Sequence, residues 1–384
     1  MTSEPTLRIA VVAPYDLSAA GGVNNQIRAQ AAALGRRGHD VQIFGPASAP
    51  LTGGERALGR SLSVTLGGTE AGLGVDPRAW LAVSRMLREP FDVIHVHEPL
   101  TPLVPWLVLQ RSSSPLVGTF HVHREEGHRL YAAFAWALRP LARRLRARIA
   151  VSDAARRTVE PHVPGPYEIV PNGIDVDAFR AQRPRPAPFA ANRRYVLYVG
   201  RLEPRKGVEH LIRAMPAVQA AAPDAALMVA GDGPERERLT ALARDLGAAA
   251  QFVGRVTDEE APAFFQSADV VCSPALGGES FGIVLLEAMA CGKPIVASRI
   301  EGYEALVGSS GCARLVAPGD AGALSRELAG LLQSADDRHA LGVRGVEAVR
   351  AYDWAAIAER LEEIYRRSIR DSARRDTTTR SPTR

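Results

Sequence analysis

The chain has 384 residues, 46% apolar and 23% charged, the balance of a globular protein long enough for two domains. Its formal charge of +5 and pI near 9.4 would suit a nucleic-acid binder, but the basic residues are scattered, only 6% of residues are aromatic, and no nucleic-acid motif is present. The absence of an eighteen-residue apolar run, the lack of a signal pattern in MTSEPTLRIAVVAP, and three cysteines (Cys272, Cys291, Cys312) without metal spacing predict a cytoplasmic, non-spanning protein with reduced thiols.

LRIAVVAP (7–14) reads as a buried parallel strand, followed by a glycine loop and a helix over about 23–37. Short apolar runs follow at 41–46, 92–97, 115–120 and 148–152, with helical stretches such as 101–111 and 128–146 between them. RAQRPRPAPFAANRR (180–194), with prolines at alternate positions, breaks the alternation and is the linker candidate. The pattern then restarts with runs at 195–200, 225–231, 250–254, 269–274, 294–298 and 313–318. Strand–helix alternation of this kind predicts an α/β protein of two doubly wound, Rossmann-like domains facing across a cleft. The expected domains are 1–182 and 195–352 around a linker at 183–194, then a C-terminal helix over 353–370 and a polar, disordered tail over 371–384.

One glycine-bearing loop follows the first strand of each half. PYDLSAAGGVNNQ places Gly21 and Gly22 at a helix start, where small residues let backbone N–H groups approach a phosphate, or simply make a tight turn. GRLEPRKGVEHLI (200–212) carries Arg201 and Lys206, a fork-shaped donor and a point charge suited to a diphosphate. Lys206 and Lys293 are the only lysines in the chain. Lys293 reads as a turn residue. Neither loop has a G-x-G-x-x-G spacing, and GDGPERE (231–237) is also wrong, which argues against a dinucleotide-dependent oxidoreductase.

GGESFGIVLLEAMACGKPIVAS (277–298) contains Glu279 and Glu287. A helix starting near Phe281 would separate them by about 12 Å, too far for a glycosidase pair but suited to the two ends of a sugar nucleotide. The N–H groups of Ser280, Phe281 and Gly282 would then face the phosphates. Glu287 lies inside an apolar run, where a carboxylate needs a partner, and ribose hydroxyls would serve. The competing reading is an N-cap and an ordinary helical glutamate.

His95/His97 and His121/His123 form two His-x-His pairs at strand ends, but no further ligands complete a metal site. A single histidine there could instead hydrogen-bond a sugar. His39 and His128 read as surface residues. The Asp-x-Asp of Asp175 and Asp177 follows PNG and reads as turn closure and a helix cap rather than a metal motif.

Taken together, GGV (21–23), HVHEP (95–99), GTFH (118–121), VSD (151–153), PNGID (171–175), GRLEPRKG (200–207), AGDGPE (230–235), the E-x7-E of Glu279 and Glu287, and EAMACGKPIVAS (287–298) resemble the family-4 retaining glycosyltransferases of GT-B fold. GGESFGIVLLEAMA and the terminal YDW resemble the phosphatidylinositol mannosyltransferase branch. The resemblance implies metal-independent, retaining transfer of a hexose from a nucleoside-diphosphate sugar, GDP-mannose being favoured, to a lipid or glycan acceptor, with no cofactor. It implies that Arg201 and Lys206 neutralise the departing diphosphate, that Glu279 binds the sugar and Glu287 the ribose, and that Ser280, Phe281, Gly282 and Ile283 complete the donor site. Gly22 would lie against the diphosphate, His121 would hydrogen-bond the sugar, and Tyr15 and His121 would meet the acceptor. The motifs DLSAA, HEPLTP and GTFHVHREEG depart from that branch, which leaves the acceptor open. A soluble transferase making a small glycoside or polysaccharide, and a catalytically silent nucleotide-sugar binder, are the alternatives. Finally, 129–148 carries Leu130, Phe134, Leu138, Leu141 and Leu145 on one helical face with an arginine cluster at its end. That pattern fits either an anionic membrane surface at the inner face of the plasma membrane or packing on the sheet.

Overall fold

A computed structural model describes residues 5–19, 21–51, 53–66, 69–74, 76, 78–122 and 129–379. The chain forms two compact units, Met1–Gly173 with Trp354–Arg384, and Ile174–Asp353.

The first unit runs β1 (Arg8–Val12), α1 (Gly22–Arg36), β2 (Asp40–Gly45), β3 (Arg56–Ala57), β4 (Ser61–Leu66), β5 (Thr69–Gly74), α2 (Ala79–Met86), β6 (Val93–His97), α3 (Val104–Arg111), β7 (Leu116–Phe120), α4 (Arg129–Ala142), β8 (Leu145–Ala150), α5 (Asp153–Val159) and β9 (Glu168–Ile169). Seven strands form a parallel sheet in the order β3-β2-β1-β6-β7-β8-β9. β4 and β5 pair antiparallel as a separate hairpin, which the strand–helix pattern does not reveal. β6 and β7 are buried along their whole length, as parallel strands covered on both faces must be.

The second unit runs α6 (Val176–Arg180), β10 (Arg194–Val199), α7 (Val208–Ala221), β11 (Ala225–Ala230), α8 (Arg236–Asp245), β12 (Ala250–Gly254), α9 (Ala261–Ser267), β13 (Val270–Ser273), α10 (Ile283–Ala290), β14 (Ile295–Ser298), α11 (Glu301–Val307), β15 (Ala313–Val316), α12 (Ala321–Gln333) and α13 (Ala335–Ala348). Its parallel sheet has the order β12-β11-β10-β13-β14-β15. Alternate residues of β10 divide between two cores: Tyr195 and Leu197 on one face, Val196 and Tyr198 on the other. In both sheets the strand order reverses beside the first strand, between β1 and β6 and between β10 and β13. Ligands of doubly wound sheets bind at such points.

The last helix, α14 (Trp354–Thr379), belongs to the first unit. Ile357, Leu361, Ile364 and Tyr365, spaced at helical period, pack with Ile9, Val11, Val93, Val117 and Ile149 on one sheet face. The helix continues past 370, where a disordered tail was expected, because Ser368 is still buried and Ala373, Arg374 and Arg375 favour helix.

The unit boundary also differs from the expected 182, falling between Gly173 and Ile174. The Gln26 amide clamps Gly173, donating to its carbonyl and accepting from its N–H at 3.0 Å each, and Trp354 fills the space where a Cβ on Gly173 would stand. Ile174 pairs with Asp353 in a parallel bridge, so the chain leaves and re-enters at adjacent points. The proline-rich stretch does not connect the units. It lies on the second one, anchored by Phe189 against Tyr195 (4.8 Å) and Phe264 (5.4 Å).

Two further expectations need correction. His39 is buried, with its Nδ1 accepting from Leu7 N at 3.2 Å and its Nε2 at 3.3 Å from Glu362 of α14. The stretch 129–148 is not one helix: α4 ends at Ala142 and Leu145 is a core residue of β8. Phe134 is exposed, so it does not share the stripe of Leu138 and Leu141, which are buried. His123, His128 and the side chain of Leu130 lie outside the described residues. Among the described residues no helix is long and apolar enough to cross a membrane.

Candidate active site

In the first unit the loop after β1 is gathered by Asp16. Its carboxylate accepts from Ser18 N (2.9 Å), Ser48 N (3.2 Å) and the Ser61 hydroxyl, while Asn24 donates to the Asp16 carbonyl at 2.7 Å. Burial pushes the Asp16 carboxyl up, but these hydrogen bonds outweigh it and bring the pKa down to about 2. The loop ends in Gly21, the N-cap of α1, and Gly22, its first residue. A Cβ on Gly21 would meet nothing within 4 Å, so packing does not require glycine there. Tyr15 is half-buried just after β1.

The histidines line up across β6 and β7. His97 pairs in register with Thr119, and alternate residues share a face, so His95, His97, Thr119 and His121 all project from the side covered by α1 and α14. His95 Nδ1 lies 3.0 Å from Gln30 Nε2 and 2.6 Å from the Tyr365 hydroxyl, and its Nε2 lies 2.7 Å from Thr119 Oγ1. His97 stacks between His95 (4.4 Å) and His121 (5.1 Å), with its Nδ1 2.8 Å from His121 Nε2. All three rings are buried. Burial lowers His95 to about 3, lowers His121 to about 4 against an opposing hydrogen bond with Asn172, and carries His97 well below its ordinary value. The rings are therefore neutral at pH 7. Glu98, buried beside them, accepts from the N–H groups of His121 (2.5 Å) and Val122 (2.8 Å). Glu98, Asn172, Gln30 and Tyr365 were not legible as site residues, since nothing in the sequence signals which helix covers the histidines.

In the second unit Arg201, Glu203, Arg205 and Lys206 follow β10, and Glu279 lies in the loop after β13, on the other side of the strand reversal. Arg201 pairs with Glu203 at 2.9 Å and Arg205 with Glu203 at 3.1 Å. Glu279 takes both Arg205 (2.5 Å) and Lys206 (2.8 Å) on one oxygen. Three cations thus share two carboxylates. Lys206 was expected at the diphosphate and Glu279 at the sugar, and here they are partners. Arg205 and Glu203 were missed, although EPRK places Arg205 directly before Lys206. Gly207 adopts φ 66°, and a Cβ there would stand 2.0 Å from the Pro274 carbonyl, so only glycine lets the two loops meet.

The helix after Glu279 begins later than expected. Gly282, at φ 94°, caps α10, and Glu287 lies in its second turn. Only the steps from Ile283 to Glu287 are helical, about 6 Å of rise, so a separation of 12 Å from continuous helix does not apply. Phe281 is a core residue packed on Tyr352 at 5.8 Å, which leaves only its backbone for a ligand. Ser280 precedes it in the loop, and half-buried Ile283 opens the helix. Burial, with the Asp258 carboxylate adding to it, pushes the Glu287 carboxyl up to about 8. Among the described residues no hydrogen bond or ion pair reaches that carboxyl.

Lys293 donates to the Gln266 carbonyl at 2.7 Å, a turn role. Asp175 caps α6 by accepting from Ala178 N at 3.0 Å, and Asp177 falls in its first turn rather than at the cap. Among the described residues no group of three His, Cys, Asp or Glu is placed to hold a metal ion.

The family described as "Glycosyltransferase Family 4" matches residues 20–178, and "Glycosyl transferases group 1" matches residues 180–348. The phosphatidyl-myo-inositol mannosyltransferase of Mycolicibacterium smegmatis is 36% identical over 94% of this chain and 93% of its own length. The fold is similar to that of sucrose-phosphate synthase from Thermosynechococcus elongatus (TM-score 0.72, 24% identity, 94% of this chain and 98% of that one). It is also similar to Anabaena HepE in complex with UDP-glucose (TM-score 0.74, 20% identity, 93% and 98%). With its two parallel-sheet, Rossmann-like domains, the chain belongs to the family-4 glycosyltransferases of GT-B fold, on the side of the phosphatidyl-myo-inositol mannosyltransferases.

Proposed function

We propose that this glycosyltransferase moves a hexose, mannose in first place, from a nucleoside-diphosphate sugar to a lipid acceptor, with phosphatidylinositol the acceptor class named for its relatives. The observation that carries the donor half is the array of Arg201, Arg205 and Lys206 on Glu203 and Glu279, in the same unit as the unpartnered carboxyl of Glu287. A diphosphate would replace Glu279 as the partner of Lys206 and Arg205, freeing the glutamate for sugar hydroxyls. Ribose hydroxyls would give Glu287 the hydrogen bonds it lacks. The N–H groups at the start of α10 favour the phosphates further. GDP-mannose is the favoured donor, because the mannosyltransferase relatives are much nearer in sequence than the protein bound to UDP-glucose.

The bond from the anomeric carbon to the diphosphate breaks as the sugar gains oxocarbenium character, and the three cations stabilise the leaving group. The acceptor hydroxyl forms the new bond with retention and gives its proton to the departing phosphate. In this reading side chains supply the positive charge, no metal ion is required, and His121 meets the sugar.

Calorimetric titration with GDP-mannose, and with UDP-glucose and ADP-glucose for comparison, tests the donor site. Lys206→Ala and Glu287→Ala should each weaken donor binding by about tenfold or more. Unchanged affinity in both would refute the assignment. Activity should persist in EDTA; loss restored by Mn²⁺ would give Asp175 and Asp177 the metal role instead.

A cytoplasmic location with peripheral attachment to an anionic membrane fits the exposed Trp136 (77%) and Phe134 (47%) of α4. One observation favours the second reading, a soluble acceptor. Arg139, Arg144 and Arg148 donate to the carbonyls of His162, Ser112 and Pro164 at 2.9, 2.7 and 2.9 Å, which commits part of their donor sets to the fold instead of to lipid phosphates.

A further inference from the structure

We propose that His97 is a positioning residue for His121, donating from Nδ1 to His121 Nε2 and so holding the His121 proton on Nδ1. This rests on the reading that His121 meets the transferred sugar. The chain of contacts has a fixed beginning. The Gln30 amide nitrogen can only donate, so His95 Nδ1 is an acceptor, and the proton of His95 sits on Nε2, 2.7 Å from Thr119 Oγ1. His97 stacks on that anchored ring at 4.4 Å with planes 18° apart, which sets its own plane.

The 2.8 Å contact between His97 Nδ1 and His121 Nε2 shares one proton. If His121 were the donor, His97 would carry its own proton on Nε2. That nitrogen is buried and has no partner among the described residues. If His97 is the donor, Nε2 is instead a bare acceptor. A buried N–H without a partner is the rarer and costlier of the two. His97 also borders a cavity of about 20 Å³, walled by Gln26, Gln30, His121, Asn172 and Trp354, with the volume of one water molecule.

The other end of the device is the backbone of His121. Glu98 holds the N–H groups of His121 and Val122 while adopting φ 43°, a left-handed conformation costly for a residue with a side chain. Plane and backbone are thus set from two sides, the hydrogen bond with Asn172 holds the ring as well, and the His121 proton is left on Nδ1.

The test uses the full chain labelled with ¹⁵N-histidine. Two-bond ¹H–¹⁵N spectra should show the His121 proton on Nδ1. In His97→Phe, which keeps a stacked ring but no nitrogen, that signal should move toward a tautomer mixture. The same variant should lose about tenfold or more in kcat with donor KM little changed, as expected when orientation rather than binding is lost. His97→Asn places an amide nitrogen at the Nδ1 position and should restore most of kcat and the Nδ1–H signal. His97→Gln, whose amide reaches the Nε2 position, should not. A His121 proton on Nε2 in the unmodified protein, or unchanged spectrum and kcat in His97→Phe, would overturn the proposal. Should His97→Phe fail to fold, equal kcat in the Asn and Gln variants would overturn it. Full kcat in His121→Ala would remove His121 from the transfer reaction, while the spectra would still decide its tautomer.

Discussion

Glu287 shows what a single side chain reveals before and after folding is known. Its place in IVLLEAMA already marked it as a carboxyl short of partners, because the flanking residues had to be core. The structure agrees, with burial raising its pKa to about 8. Between about pH 4.5 and 8 the folded state then holds a proton that the unfolded state releases, so this group costs stability as pH rises through that window. Glu287→Gln should stabilise the second unit by about 2–5 kcal/mol at pH 8.5, roughly 4–20 °C in Tm, and by under about 1 kcal/mol at pH 5. Calorimetric scans at the two pH values check this, and an equal shift at both would exclude the titration. Lys206 is the contrasting case. Its charge and loop position were legible, but its partner Glu279 lies 73 residues away and came from the fold alone.

Helices and strands were legible wherever burial imposes a period. β1, β6, β10 and β11 announce themselves as apolar runs, and α14 by its spaced Ile, Leu and Tyr residues. Failures occurred where two elements share one pattern. The stretch 129–148 has helical spacing throughout, yet Leu145 and Ala147 belong to a strand, because pairing with β7 outweighs the local period. That division changes the membrane argument, since Arg139, Arg144 and Arg148 at its end bond backbone carbonyls. Phe134 and Trp136 on α4 remain as the exposed large apolar side chains of this stretch. Co-sedimentation with vesicles rich in anionic lipid at low salt should therefore retain the protein, and Trp136→Ala with Phe134→Ala should reduce binding severalfold. Absence of binding by the unsubstituted chain would favour the soluble acceptor.

Across the whole molecule the two units respond to pH in opposite directions. His95 and His121 titrate near 3 and 4 when folded rather than near 6.5, so the unfolded first unit binds more protons below pH 6.5 and stability falls as pH drops toward 4. Asp16 and Glu362, both near 2, add a loss at lower pH as their hydrogen-bonded carboxylates protonate. Glu287 works the other way in the second unit. All four tryptophans (Trp80, Trp106, Trp136, Trp354) lie in the first unit, so their fluorescence reports it selectively. The urea midpoint read by tryptophan should fall by several-tenths molar or more between pH 7 and pH 4.5, about one to a few kcal/mol. A midpoint independent of pH in that range would contradict the neutral histidine stack.

From the sequence alone came the class, the two doubly wound halves and the family. Local spacing, turn chemistry and motif order suffice for features that neighbouring residues impose on one another. Only the tertiary structure decided which charges meet, where the units divide, and that His95, His97 and His121 stack beneath α14. Those depend on strand order and on a helix 270 residues from His95 closing over the sheet, contacts whose free energy comes from burial across the fold and leaves no periodic trace in the chain.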